Sequence, residues 1–248
     1  MKTASGAKLN WARLVTLVLC LSTALLFWDS RILLPLKLLV VMLHETGHAL
    51  ASLLVGGSVQ KVNIAVNQSG QCLSMLPPGW FAKVVVYSAG YLGSALAGAL
   101  LILATFRFSA RRWVLGILCA WLMIMGVFYA GDVFTFVFCV GTALALGLAA
   151  RLLPPSAVDL LNLFIAAFAG LYALFDLRDD LWSGAARSHS DAALLANLTY
   201  VPAIVWAALW TVIGVALLAV FAWISVQKGK ATGFSIRRSM DGMPATRW

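Results

Sequence analysis

Long apolar runs separated by short polar connectors follow one another along almost the whole chain, at residues 14–28, 32–55, 81–105, 113–130, 133–150, 158–175 and 203–224. Apolar runs of this kind predict helices that cross a bilayer, since a helix satisfies its own backbone groups in hydrocarbon. Their limits are legible. Asp29 and Ser30 can cap the second run, with Pro35 tolerable in its opening turn, and Gly56 and Gly57 end it. Pro77, Pro78 and Gly79 precede the third run, and Pro154 and Pro155 close the pair at 113–150. Lys2, Lys8 and Arg13 before the first run give it the look of a secretory leader, but no small-x-small cleavage site precedes Asp29, so a retained first helix is expected.

The period changes after the second run. Val62, Ile64 and Val66 alternate with Lys61, Asn63 and Ala65, the period of a strand, and Asn67 to Gly70 supply turn chemistry before a second short run at 71–75. A hairpin is predicted, serving either as an interfacial connector or as an open strand edge. The fold class is therefore an all-α polytopic membrane protein of about six to seven transmembrane helices, with a small β-hairpin after the second apolar run. Residues 1–226 form a single membrane-embedded domain, and residues 227–248, with five Lys or Arg against Asp241, form a flexible basic tail. In the third run Gly90, Ser94 and Gly98 recur every four residues, a smooth strip for close helix packing, with the second run its nearest candidate partner.

Composition agrees with the pattern. Of 248 residues, 62% are hydrophobic and 11% charged, and the mean hydropathy is +0.93, far too apolar for an ordinary soluble domain. The formal charge of +9 does not point to nucleic acid, because the basic residues lie between apolar runs and in the tail, as topology signals do. The expected setting is the lipid bilayer, as a multi-pass protein of the cell's inner, or cytoplasmic, membrane. A basic tail favours a cytoplasmic C-terminus, while an odd span count would then leave the basic N-terminus outside, so orientation stays open. Cys20, Cys72, Cys119 and Cys139 show neither zinc-knuckle nor redox spacing.

Within the second run stands His44-Glu45-Thr46-Gly47-His48. Four residues apart on a helix, His44 and His48 lie one above the other and can hold one metal ion, with Glu45 on the adjoining face. In zinc hydrolases of this spacing the glutamate takes a proton from water whose pKa the metal has lowered. A chance match on the wet face of a soluble helix would be harmless, but ionisable groups inside a membrane cost about 3 kcal/mol each on insertion scales and seldom persist without a task. A catalytic zinc takes a third protein ligand. Among the nine acids, Asp176, at the end of a span and heading a cluster with Asp179, Asp180 and Asp191, is the chosen candidate, followed by Asp180 and Asp132. Asp132 otherwise reads as a solvated loop acid, and His189 as solvated.

The chain resembles the site-2 proteases, and in particular their small bacterial B-type (M50B-like) branch. The resemblance lies in H-E-T-G-H-A-L-A-S-L-L-V-G-G at 44–57, A-G-Y-L-G-S-A-L-A-G at 89–98 and S-D-A-A-L-L-A-N-L-T-Y-V-P-A at 190–203. It implies a membrane-embedded zinc peptidase, with His44 and His48 as ligands, Glu45 as general base and a membrane-protein substrate. The wider family takes its third ligand from an L-D-G motif that this chain lacks, Phe175-Asp176-Leu177 being the nearest look-alike. Two other classes stand beside the peptidase: a catalytically inactive scaffold that keeps the fold, and a metal transporter, against which the lack of internal repeats speaks.

Overall fold

The computed structural model describes residues 9–107, 111–182 and 190–227. Within them lie eight α-helices and one antiparallel pair of strands. Helix α1 is Trp11–Leu26, begun by Asn10, whose side chain accepts from the Arg13 amide. A single 3-10 turn, Arg31–Leu33, capped by the Ser30 hydroxyl, leads into α2, Leu34–Leu54, with Pro35 in its first turn as expected. Strands β1 (Ser58–Ile64) and β2 (Gly70–Met75) form the hairpin. Helices α3 (Trp80–Arg107), α4 (Arg111–Ile124), α5 (Val133–Leu152), α6 (Pro155–Trp182), α7 (Asp191–Thr199) and α8 (Ala203–Val226) complete the described chain.

Among the described residues, six helical segments are long and apolar enough to cross a membrane, beginning at Arg31, Trp80, Arg112, Val133, Pro155 and Ala203. Helix α1 is not one of them. Its 16 residues span about 24 Å, short of a hydrocarbon core of about 30 Å. Topology agrees. Helix α3 runs antiparallel to α2, with Val86 beside His48 and Tyr91 beside His44. Helix α8 runs alongside α3 in the same direction, pairing Trp210 with Tyr91 and Gly214 with Ala95. The end of α8 is therefore on the side where α2 begins. Helix α1 starts there too, because the Asn10 amide donates to the Val226 carbonyl at 2.7 Å and Arg13 to the Ser225 carbonyl at 3.0 Å. A segment that begins and ends on one side does not cross, so six spans stand among the described residues, within the six to seven expected, and the two described chain ends lie together.

Helix α2 sits at the centre, packed by α3, α6 and the hairpin. Small residues set the spacing. A methyl on Gly47 would overlap the Ala89 carbonyl oxygen, and one on Gly98 would come within 2.8 Å of the Gly170 nitrogen. The small-residue strip of α3 thus serves two neighbours: Gly90 faces α2, as proximity suggested, whereas Gly98 faces α6. The hairpin folds back along α2. Its register pairs Ser58 with Met75 and Ile64 with Gly70, with a bulge between Val59 and Lys61. Val62 and Ile64 are buried, whereas Val66, the third member of the alternation, lies beyond the end of β1 and is exposed. The outer side of β1 is taken: Val62 bridges to Ala130, the Gly131 amide donates to the Val62 carbonyl, and the Ile64 amide donates to Thr135 Oγ1. These contacts come from Ala130 and Gly131, just past the π-turn Met125–Tyr129, and from the first turn of α5. The outer edge of β2 makes no backbone hydrogen bond to another element among the described residues.

Candidate metal centre

His44 and His48 lie one turn apart on α2, as their spacing requires, and both are buried. Their side chains point toward α3 and α7. The two Nε2 atoms are 3.0 Å apart, and Asp191 Oδ2 stands 3.2 Å from His44 Nε2 and 3.1 Å from His48 Nε2. Among the described residues these three form the one group of His, Cys, Asp and Glu able to share an ion. Four-coordinate bonds of about 2.0–2.1 Å place ligand atoms about 3.3–3.4 Å apart, so the triangle is close to the size that a tetrahedral divalent ion needs.

The surroundings prepare the donors. His48 Nδ1–H donates to the Val86 carbonyl at 2.7 Å, which leaves the lone pair on Nε2, facing the triangle. His44 is held edge-on by the Tyr91 ring at 4.7 Å, and Tyr91 stacks on Trp210 of α8 at 5.1 Å. Space is reserved at Gly90, where any Cβ would overlap Nε2 of both histidines. Asp191 is the first residue of α7, behind the Ser190 cap, whose hydroxyl accepts from the Ala193 amide. Burial would raise its pKa, but the imidazoles, His48 foremost, hold its carboxyl well below the usual carboxylate range. It is anionic at neutral pH, the form a metal binds.

Glu45 lies on the face of α2 next to that of the histidines, toward the hairpin. It is buried, and Gly70, the first residue of β2, lies so close that a side chain there would overlap its carboxyl group. Cys72, on the same strand, is a protonated thiol. Burial, opposed by the Ser74 hydroxyl and aided by the Glu45 charge, pushes it up to about 11. The two histidines and the acid thus occupy adjoining faces of one helix, the first toward α3 and α7 and the second toward the hairpin.

The other candidate acids fall elsewhere. Asp132 is exposed and caps α5, accepting from the Thr135 amide at 2.7 Å and hydroxyl at 3.1 Å, so it belongs to the hairpin's support and not to the triangle. Asp176 and Asp180 lie on α6, but their side chains, like His189 as a whole, are outside the described residues. The acid that joins the histidines is Asp191, a later member of the cluster that Asp176 heads. One signal could have singled it out: a helix-capping Ser190 directly before it, inside a block that already carried the family resemblance.

A family model described as Peptidase M50B-like matches residues 17–221, from α1 through most of α8. The chain belongs to that family. No curated protein and no solved structure matches it. As an M50B-like chain it is a multi-pass membrane protein of a metallopeptidase family, and its H-E-x-x-H residues meet Asp191 within the matched region.

Proposed function

We propose that this M50B-like chain is an intramembrane zinc endopeptidase that cuts a membrane-associated protein in an extended conformation. One observation carries the reading: His44 Nε2, His48 Nε2 and Asp191 Oδ2 converge at 3.0–3.2 Å around the place that Gly90 keeps clear, with Glu45 buried one position along α2. The donor set suits zinc, two imidazoles and a carboxylate being a catalytic combination that leaves a position open. Zinc held there supplies Lewis acidity, which lowers the pKa of water and polarises a peptide carbonyl.

The chain's own residues do the rest. The Val86 carbonyl keeps His48 in the tautomer with Nε2 free, and Tyr91 fixes the His44 ring. Glu45 takes the proton of the attacking water and returns it to the leaving nitrogen as the bond breaks. A helical substrate hides its carbonyls in its own hydrogen bonds, so it must unwind first. The outer edge of β2 offers backbone partners to an extended segment and runs past Glu45 at Gly70. The two described chain ends on one side, both flanked by basic sequence, favour that side as the cytoplasmic one, in a cell's inner membrane.

The test compares wild type with Glu45→Gln. The variant should bind zinc like wild type while cleavage falls about a hundred- to ten-thousandfold. Undiminished cleavage by Glu45→Gln would remove the glutamate from the mechanism, and with it this reading.

A further inference from the structure

Residues 58–78 contain one glycine, Gly70, and it is the residue set against the Glu45 carboxyl, where no Cβ fits. The hairpin must therefore keep its register, because a slip of one position would bring Ser69 or Gln71 over the acid. It does not hold that register by itself. A lone pair of strands is marginally stable. This pair is interrupted by the bulge between Val59 and Lys61, and Gln68 in its turn has a φ of 68°, the left-handed conformation that is disfavoured for residues with a Cβ.

The restraint comes from outside the hairpin. Among the described residues the outer edge of β1 is held at Val62 and Ile64, and their partners across the pair are Cys72 and Gly70. The part of β2 beside Glu45 is thus the part backed by the anchored piece of β1. At Ile64 the anchor is a single hydroxyl. Thr135, fully buried in the first turn of α5, donates its proton to Asp132 Oδ2 at 3.1 Å, so its oxygen accepts from the Ile64 amide at 2.9 Å. The Ile64 carbonyl, at 3.5 Å, is the poorer acceptor for that proton. Asp132 is fixed in turn by accepting from the Thr135 amide at 2.7 Å. Little of α5 is buried inside the protein, yet its first turn stands one strand pair away from Glu45.

We propose that Thr135, oriented by Asp132, is a positioning residue for Glu45: by fixing Ile64 it holds Gly70 against the carboxyl and keeps that acid in one orientation. The role rests on the protease reading, in which Glu45 moves the proton. The test compares Thr135→Val, which keeps the side chain's shape and removes the hydroxyl, with Thr135→Ser, which keeps the hydroxyl. The full-length chain in detergent is assayed for zinc content, for cleavage of fluorescently labelled casein, and for alkylation of Cys72 by iodoacetamide, read on its peptide by mass spectrometry. The Glu45 charge opposes ionisation of the Cys72 thiol, so Glu45→Gln should speed alkylation about threefold while the hairpin sits on the acid. That difference should vanish in the Thr135→Val background and persist in the Thr135→Ser background. In cleavage, Thr135→Val should lose about ten- to a hundredfold in kcat with KM and zinc content unchanged, and Thr135→Ser should stay near wild type. Asp132→Asn should fall between them, and it carries the same comparison if Thr135→Val yields no folded chain. A Glu45 effect on Cys72 that survives Thr135→Val, or is lost in Thr135→Ser as well, overturns the role, as does a Thr135→Val kcat within about twofold of wild type. A Glu45 effect lost in Thr135→Val alone, in a protein that cleaves nothing even as wild type, sustains the hold on Glu45 and sinks the protease instead.

Discussion

Helices α2 and α8 are both of membrane-crossing length, yet most of α2 is buried inside the protein and little of α8 is. Helix α8 is the more apolar of the two and carries no charged residue, whereas α2 buries Lys37, His44, Glu45, Thr46, His48 and Ser52. The difference is what a bilayer demands. A lipid-facing helix must present hydrocarbon all round, while a helix enclosed by others can carry polar groups wherever its neighbours supply partners. Partners are supplied: Trp121 Nε1–H of α4 donates to Thr46 Oγ1 at 3.1 Å, the Val86 carbonyl accepts from His48, and Asp191 meets both histidines. In this protein the least apolar span is the most buried and holds two of the three residues that could share a metal ion.

Substitutions that add or remove a single methyl or hydroxyl sharpen that contrast. The largest effect is expected from Gly90→Ala, whose methyl would occupy the place of both Nε2 atoms, and zinc affinity measured by competition with a chelator should fall about a hundredfold or more. Wild-type affinity in Gly90→Ala would show that the triangle does not hold the ion. Gly47→Ala would drive a methyl into the Ala89 carbonyl and push α2 and α3 apart. Thermal unfolding in detergent should report a loss of about 1–3 kcal/mol, and an unchanged midpoint would deny the close crossing. Thr46→Val removes the acceptor for Trp121 Nε1–H and should cost about 1 kcal/mol. The outer counterpart is Gly141→Ala on α5, where a new Cβ meets nothing within 4 Å. It should leave zinc binding intact and shift stability by about 0.5 kcal/mol or less, and a large loss there would erase the distinction between inner and outer spans.

Much of this was legible in the sequence. The apolar runs after the first gave the spans, the alternation from Val62 gave strand β1, and the four-residue spacing of His44 and His48 placed two of the three residues that could share an ion. These features are local, set by the periods of helix and strand. What was hidden is what depends on distance in space. Asp191 lies 147 residues beyond His44, on a nine-residue helix too short to read as a span. Attention therefore fell on Asp176, which sits at the end of an apolar run. Helix α1 showed the opposite difficulty: its run looks like a span, and only the Asn10 to Val226 hydrogen bond reveals that it starts where α2 also starts. Six spans, the even member of the expected six to seven, remove the conflict between an odd span count and two basic ends.

The central claim is that Asp191 completes a zinc site with His44 and His48, and it is tested most directly by the zinc content of purified wild type, Asp191→Ala and Asp176→Ala. The account predicts about one zinc per chain in wild type and in Asp176→Ala, and next to none in Asp191→Ala. A full complement of zinc in Asp191→Ala, or its loss in Asp176→Ala alone, would contradict it.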